Sequence, residues 1–222
     1  MGRPAKPGAG AQPPHFDDHF SARLRELFLW RRDVRRFRRD PVEAELIDEL
    51  IGLAVLAPSV GYSQPWRFVY VEDPARRSAV RESFRRCNRE ALADYHGERA
   101  GRYARLKLSG LEDAPVHLAI FCDQATEAGH GLGRKTMPET LRYSVVTAVH
   151  TLWLAARARD LGVGWVSILE PDEIARALEV PGDWALIAYL CIGYPEEEHA
   201  DPELERGGWE DRQDLSGCVL RR

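Results

Sequence analysis

The segment 139–160 limits what this chain can become more than any other stretch. Val145, Val146, Ala148, Val149, Leu152, Trp153, Leu154, Ala155 and Ala156 leave almost no polar face in the middle of a helix, so that helix is expected to be buried nearly all round. A chain of 222 residues has one sizeable core, and such a helix fits a subunit interface better than the centre of a monomer.

The remaining periodicities place other elements around it. Phe20, Leu24, Leu27 and Phe28 recur at helical spacing over 17–30, with Asp17, Asp18 or Ser21 as candidate caps. After Asp40-Pro41, the apolar face of 43–57 predicts a second helix that Pro58 stops. The β-rich run 66–71 follows a turn-prone segment, 58–65. Polar helices are expected over 74–92 and 97–108, and strands over 116–122, 163–169 and 186–192, with a short helix at 172–178. The stretch 124–138, with Gly129, Gly131 and Gly133, reads as a mobile loop or lid. The chain after Pro195 reads as an arm. Helices and strands without regular alternation disfavour a TIM barrel or a simple doubly wound sheet and indicate an α+β fold.

Composition narrows the function classes. With 44% hydrophobic and 30% charged residues the chain is expected to fold as a single domain over 17–222, behind a flexible tail at 1–16. A formal charge of −4 gives no overall attraction to nucleic acid or an anionic membrane. Cys87, Cys122, Cys191 and Cys218 form no CxxC pair, so neither a metal site nor a disulfide framework is expected, and reduced thiols fit a cytoplasmic protein. No run approaches the ~20 apolar residues of a membrane span.

The densest chemical signal is Arg31-Arg32-Asp33-Val34-Arg35-Arg36-Phe37-Arg38-Arg39. Guanidinium groups offer a rigid fork of donors suited to phosphate, and the same run fits a solvated basic turn or a nucleic-acid patch. The embedded Asp33 and Phe37 favour a built anion site, since a pure phosphate patch gains nothing from a carboxylate in its midst.

The run 31–37 resembles the Arg-x-Ser-x-Arg-x-Phe motif of FMN-dependent nitroreductases, and Ala57-Pro58-Ser59-Val60-Gly61-Tyr62-Ser63-Gln64-Pro65-Trp66 resembles their Ala-Pro-Ser-x-x-x-x-Gln-Pro-Trp loop. The likeness extends to Gly162-Val163-Gly164-Trp165-Val166-Ser167 and to Trp209, Arg212 and Leu215, so it covers roughly 20–216. It implies a nitroreductase-like fold with a mixed central sheet flanked by helices, an intertwined homodimer, and FMN as ligand. Asp33 stands where the general pattern has serine. With Gly133-Arg134-Lys135-Thr136-Met137-Pro138-Glu139-Thr140-Leu141 and Ser167, it resembles the branch that makes 5,6-dimethylbenzimidazole, the lower ligand of cobalamin. In that branch reduced FMN is itself the substrate, O2 is consumed, erythrose 4-phosphate is left, and no metal is required.

The resemblance assigns Arg31, Arg32 and Arg212 to the FMN phosphate, Ser59 and Ser63 to the flavin or its ribityl chain, and Ile168 and Leu169 with Ser167 to the strand passing the ring. Arg35 fits a structural pair as well as a ligand contact, and Lys107 a surface lysine as well as a flavin contact. Asp33 and Ser167 are the expected catalytic pair: a carboxylate among arginines can shuttle protons, and a hydroxyl can orient the ring edge. Their bland alternatives are an ion pair and a strand serine satisfied by a neighbour. A separate flavin reductase is a conceivable partner. The competing functions are an NAD(P)H-dependent FMN nitro- or quinone reductase and a flavin-binding sensor.

Overall fold

The computed structural model describes residues 10–222, so the first nine residues of the expected tail lie outside the description. Residues 10–16 are exposed and carry no helix or strand. Helix α1 (Asp18–Trp30) starts at Asp17, whose carboxylate accepts from the Phe20 N–H at 2.7 Å. It precedes α2 (Ala44–Ala54), β1 (Trp66–Tyr70), α3 (Pro74–Ala93), α4 (Gly97–Arg105) and β2 (Val116–Asp123). Then come α5 (Thr140–Arg157), β3 (Gly162–Val166), α6 (Pro171–Ala177), β4 (Trp184–Gly193) and α7 (Glu203–Arg206). The arm after Pro195 thus contains a short α-helix and a 3-10 turn at Leu215–Gly217, where no periodicity announced either.

The four strands are ordered β1-β2-β4-β3 and pair antiparallel throughout. The sheet is therefore mixed only through a single parallel bridge, Asp33 to Val163, a correction to the expected mixed sheet. The physical reason is length: only one residue of the segment after α1 pairs with β3 there before the chain turns away, and Phe37 then bridges Pro195 antiparallel.

Side-chain alternation on the two central strands builds two cores. Leu118, Ile120 and Cys122 of β2 and Ala188, Leu190 and Ile192 of β4 point to one face, against α2 and α5. Ala119 and Phe121, with Tyr189 and Cys191, point to the other, against Val80 of α3 and Ile174 of α6. Both strands are buried on both faces, which is why they read as continuous apolar runs. Each fully buried Leu or Ile contributes about 1.5–3 kcal/mol, so truncating Leu152 or Leu190 to alanine costs about 2–5 kcal/mol.

Helix α5 is covered on one side by the single chain. Leu141, Val145, Ala148, Val149, Leu152 and Ala156 are buried, whereas Tyr143, Val146, Thr147 and His150 are exposed. The other side leaves a stripe bare in which Tyr143 and Val146 are the apolar members. Helix α1 likewise buries no residue, and Phe20, Phe28, Leu29 and Trp30 are all exposed.

The segment 33–37 crosses the sheet beside β3, and glycines make the crossing possible. A Cβ on Gly164 would lie 2.1 Å from the Val34 carbonyl oxygen, and one on Gly162 would lie 2.7 Å from a Val34 methyl. With bare backbone there, the Val34 N–H donates to the Val163 carbonyl at 3.0 Å. Phe37 is then buried where Gly110 and Gly193 leave room for its ring.

Candidate flavin site

Helix α1 delivers the arginine run to the end of the sheet. Arg31 caps α1, and its guanidinium lies 4.9 Å from the centre of the Trp153 ring. The Trp153 indole donates to the Arg32 carbonyl at 3.1 Å, fastening the run to the C-terminal half of α5. Arg32 donates through Nη2 to the carbonyls of Leu29 and of Ala200, the latter at 2.7 Å. Its Nε is buried and has no partner. Burial, and after it the charges of Arg31 and Arg212, lower the Arg32 pKa from its ordinary value. Arginines early and late in the chain therefore share one neighbourhood. Arg31 and Arg212 make no ion pair among the described residues, so three guanidinium groups lie together with an unused buried donor among them. That donor set fits a phosphate: an orphaned buried N–H costs about 1–3 kcal/mol until an acceptor meets it.

The other arginines of the run are spoken for. Arg36 pairs with Glu203, Arg38 with Asp40 at 2.9 Å, and Arg39 with Asp113 at 2.9 Å. Arg35 is structural in its contacts: Nε donates to Asp33 at 2.9 Å and Nη1 to the Lys107 carbonyl at 3.0 Å. Lys107 turns its own ammonium to Asp113 at 3.0 Å.

Asp33 sits at the junction of these parts. One carboxylate oxygen accepts from Arg35, and the other accepts from the Trp165 backbone N–H at 2.9 Å. The carboxylate thus locks the crossing segment to β3. Ser167 follows β3 by one residue and is exposed; Ile168 is half-buried and Leu169 is buried in the second core. Trp165 and Ser167 are two positions apart, about 7 Å along an extended chain, so Asp33 fixes the strand end that presents the serine.

The serine loop lies elsewhere on the subunit. The Ser59 hydroxyl accepts from the Gln64 N–H at 3.1 Å, and the Ser63 hydroxyl is buried without a partner. Gly61, Tyr62 and Gln64 all hold positive φ, at 55°, 57° and 46°, and this strained turn is clamped from outside. The Val60 N–H donates to the Ser144 hydroxyl at 3.0 Å, and Thr147 donates to the Pro58 carbonyl at 3.0 Å. Gly61 also abuts Gly129 of the glycine-rich loop so closely that a Cβ on Gly129 would lie 2.3 Å from the Gly61 oxygen. Ser144 and Trp153 are nine residues apart on α5, about two and a half turns and ~13 Å of rise, which puts them on opposite faces. A single subunit therefore brings Arg31, Arg32, Asp33, Arg35 and Arg212 together and leaves Ser59 and Ser63 on the far side of α5.

Two contributors escaped the sequence reading: Trp153, counted only as an apolar helix residue, and the acidic stretch Glu196–Glu205. Glu198 pairs with Arg157 at 2.7 Å, Glu203 with Arg36, and Asp201 with Arg206 at 3.1 Å. The signal was present, because a run of acids late in the chain is the natural complement of a run of arginines early in it. Among the described residues no cluster of His, Cys, Asp and Glu could hold a metal ion, and no helix is long and apolar enough to cross a membrane.

Comparison with known proteins identifies the family and the fold. The model of the nitroreductase family matches residues 28–194. A 5,6-dimethylbenzimidazole synthase of Rhodospirillum rubrum is 61% identical over 200 residues, covering 90% of this chain and 95% of its own. A second, from Rhodobacter capsulatus, is 47% identical over 197 residues, covering 89% and 95%. Among solved structures, an iodotyrosine deiodinase bound to FMN and 3-iodo-L-tyrosine superposes with a TM-score of 0.70 at 25% identity, over 90% of this chain and 97% of that one. The chain belongs to the nitroreductase family, in the group of its 5,6-dimethylbenzimidazole synthases.

Proposed function

We propose that this protein converts reduced FMN and O2 to 5,6-dimethylbenzimidazole, releasing erythrose 4-phosphate, with no metal. The observation that carries the reading is the buried, unpartnered Arg32 Nε within a cluster of three guanidinium groups, in a chain 61% identical to such a synthase. When bound, reduced flavin supplies the electrons that activate O2 and the ring carbons of the product.

The residues of the chain have separable tasks. Arg31, Arg32 and Arg212 hold the phosphate, and their charges make the pocket selective for a dianion. Asp33, fixed by Arg35 and the Trp165 N–H, keeps lone pairs free on its carboxylate oxygens and accepts the protons that ring fragmentation releases. Ser167, at the end of β3, orients the ring edge through its hydroxyl. The loop 124–138, which packs through Gly129 on the turn bearing Ser59 and Ser63, is assigned the task of excluding water from the ring side of the site.

The site is completed by a second copy of the chain. The bare stripe of α5, Tyr143, Val146, Thr147 and His150, is self-complementary if two α5 helices cross antiparallel about a two-fold axis near His150. Such a crossing would bring the loop bearing Ser59 and Ser63, which lies on the other side of α5 from the arginine cluster, to the arginine cluster of the second copy. A cytoplasmic homodimer supplied by a separate flavin reductase fits this reading.

The test is to incubate the purified protein with reduced FMN in air and look for dimethylbenzimidazole by mass, with and without a chelator. Product in both supports the proposal. Oxidation of NADH with all FMN recovered intact favours a reductase instead.

A further inference from the structure

The arm that brings Arg212 to the arginine cluster is exposed from Gly207 to Arg222 apart from one residue, the half-buried Trp209. Its ring lies in an aromatic cluster where α3 runs into α4. Tyr95 and Tyr103 stack with centroids 4.9 Å apart, and the edge of Trp209 meets them at 5.4 and 6.0 Å. Arg99 lies 5.9 Å from the same indole, and Arg102 donates to the Gly208 carbonyl at 2.9 Å. The Tyr103 hydroxyl is fixed by Asn88 at 2.8 Å, so the platform is itself rigid.

The backbone aims Trp209 at this platform. After α7 the chain turns at Gly208, with φ of 64°, and the Trp209 N–H bonds back to the Leu204 carbonyl at 2.9 Å. Only glycine takes that conformation without steric cost. Arg212 follows three residues later, within ~10 Å of extended chain.

Electrostatics says why a fastening is needed. The like charges of Arg31 and Arg212 act on Arg32 more strongly than the opposing Asp201 and Glu205, and an arm without a buried anchor would swing its arginine into solvent. The ion pairs elsewhere on the arm are partly exposed and worth ~0–1 kcal/mol each. The aromatic cluster is an apolar contact three residues from Arg212, and its edge-to-face pairs add stabilisation beyond the area they bury.

We infer that Trp209, seated against Tyr95 and Tyr103, is a positioning residue that latches the arm to α4 and so holds Arg212 over the FMN phosphate. The inference rests on the reading of Arg212 as a phosphate ligand. Its consequence is that α4 and the phosphate grip are mechanically one unit.

The experiment compares FMN with riboflavin, which has the ring and ribityl chain and lacks the phosphate, binding to the intact dimer by fluorescence titration. Arg212→Ala is expected to weaken FMN about tenfold or more, the worth of a charge-assisted bond, with little change for riboflavin. Trp209→Ala is expected to reproduce most of that loss and the same indifference to riboflavin, and Trp209→Phe to restore affinity. The double variant is expected to bind FMN no worse than Arg212→Ala alone. Additive losses, or equal losses for FMN and riboflavin in Trp209→Ala, overturn the latch while leaving the phosphate reading standing. Wild-type FMN affinity in Arg212→Ala overturns both. Should Trp209→Ala not fold, Tyr95→Leu loosens the same cluster from the α4 side and must show the same phosphate-dependent loss.

Discussion

Adding one methyl group at position 164 tests the crossing on which the site is built. In Gly164→Ala the new Cβ would sit 2.1 Å from the Val34 oxygen, so the segment 33–34 must retreat by about 1 Å to regain van der Waals contact. Two bonds span that gap, Val34 N–H to Val163 at 3.0 Å and Trp165 N–H to the Asp33 carboxylate at 2.9 Å, and both stretch out of hydrogen-bonding range. One neutral bond at ~1 kcal/mol and one charge-assisted bond at ~1.5–3 kcal/mol give a loss of about 2.5–4 kcal/mol. For a chain of this length that is roughly 5–15 °C in Tm. Because Arg31 and Arg32 ride on the same segment, FMN affinity is expected to fall as well. Urea unfolding of the apoprotein and FMN titration measure the two effects. Gly52→Ala is the control: Gly52 lies within α2 with nothing within 4 Å of its Cβ position, so alanine there is expected to stabilise by up to ~1 kcal/mol. An unchanged urea midpoint and unchanged FMN affinity in Gly164→Ala would refute the claim that close backbone contact sets the site.

Other perturbations probe the remaining parts. Asp33→Asn is expected to bind FMN and to lose dimethylbenzimidazole production about 100-fold or more, the usual contribution of a positioned proton acceptor; full production by this variant and by Ser167→Gly would remove the assigned mechanism. Val146→Asp places a charge in the bare stripe of α5 and is expected to give monomers by light scattering that bind FMN poorly, whereas a wild-type dimer would locate the interface elsewhere. His117 is buried in the core, accepts or donates at Nδ1 with the Tyr189 hydroxyl at 2.9 Å, and has its pKa lowered to about 3, chiefly by burial and then by Arg77 and Arg81. The unfolded chain therefore takes up a proton below about pH 6.5 that the folded protein refuses until about pH 3, so stability falls with pH across that window, by up to ~1.4 kcal/mol per unit. His117→Gln is expected to flatten this part of a urea-midpoint against pH curve.

Much of the fold could be read from periodicity, and where the reading failed the cause was contact rather than propensity. Strands β2 and β4 announced themselves as apolar runs because both their faces are buried. Helix α5 read as buried all round because sequence cannot tell a side chain covered by its own subunit from Val146 or Tyr143, which the subunit leaves bare. The arginine run was visible, but its division into Arg31, Arg32 and Arg212 at the candidate site and Arg35, Arg36 and Arg39 in structural pairs depends on where Asp33, Glu203 and Asp113 come to rest. The separation of Ser59 and Ser63 from the arginines follows from which faces of α5 carry Ser144 and Trp153, a matter of helix phase that no motif spacing records.

The pairing of Arg36 with Glu203 and of Arg157 with Glu198 half in solvent makes ionic strength a natural control on the C-terminal arm. Such contacts fade as the Debye length shrinks from about 10 Å at 0.1 M toward 3 Å at 1 M, while stacked rings are indifferent to it. Moderate salt should thus loosen the stretch around 196–206 and leave the aromatic seat of Trp209 in place, so that the two halves of the arm come free under different conditions.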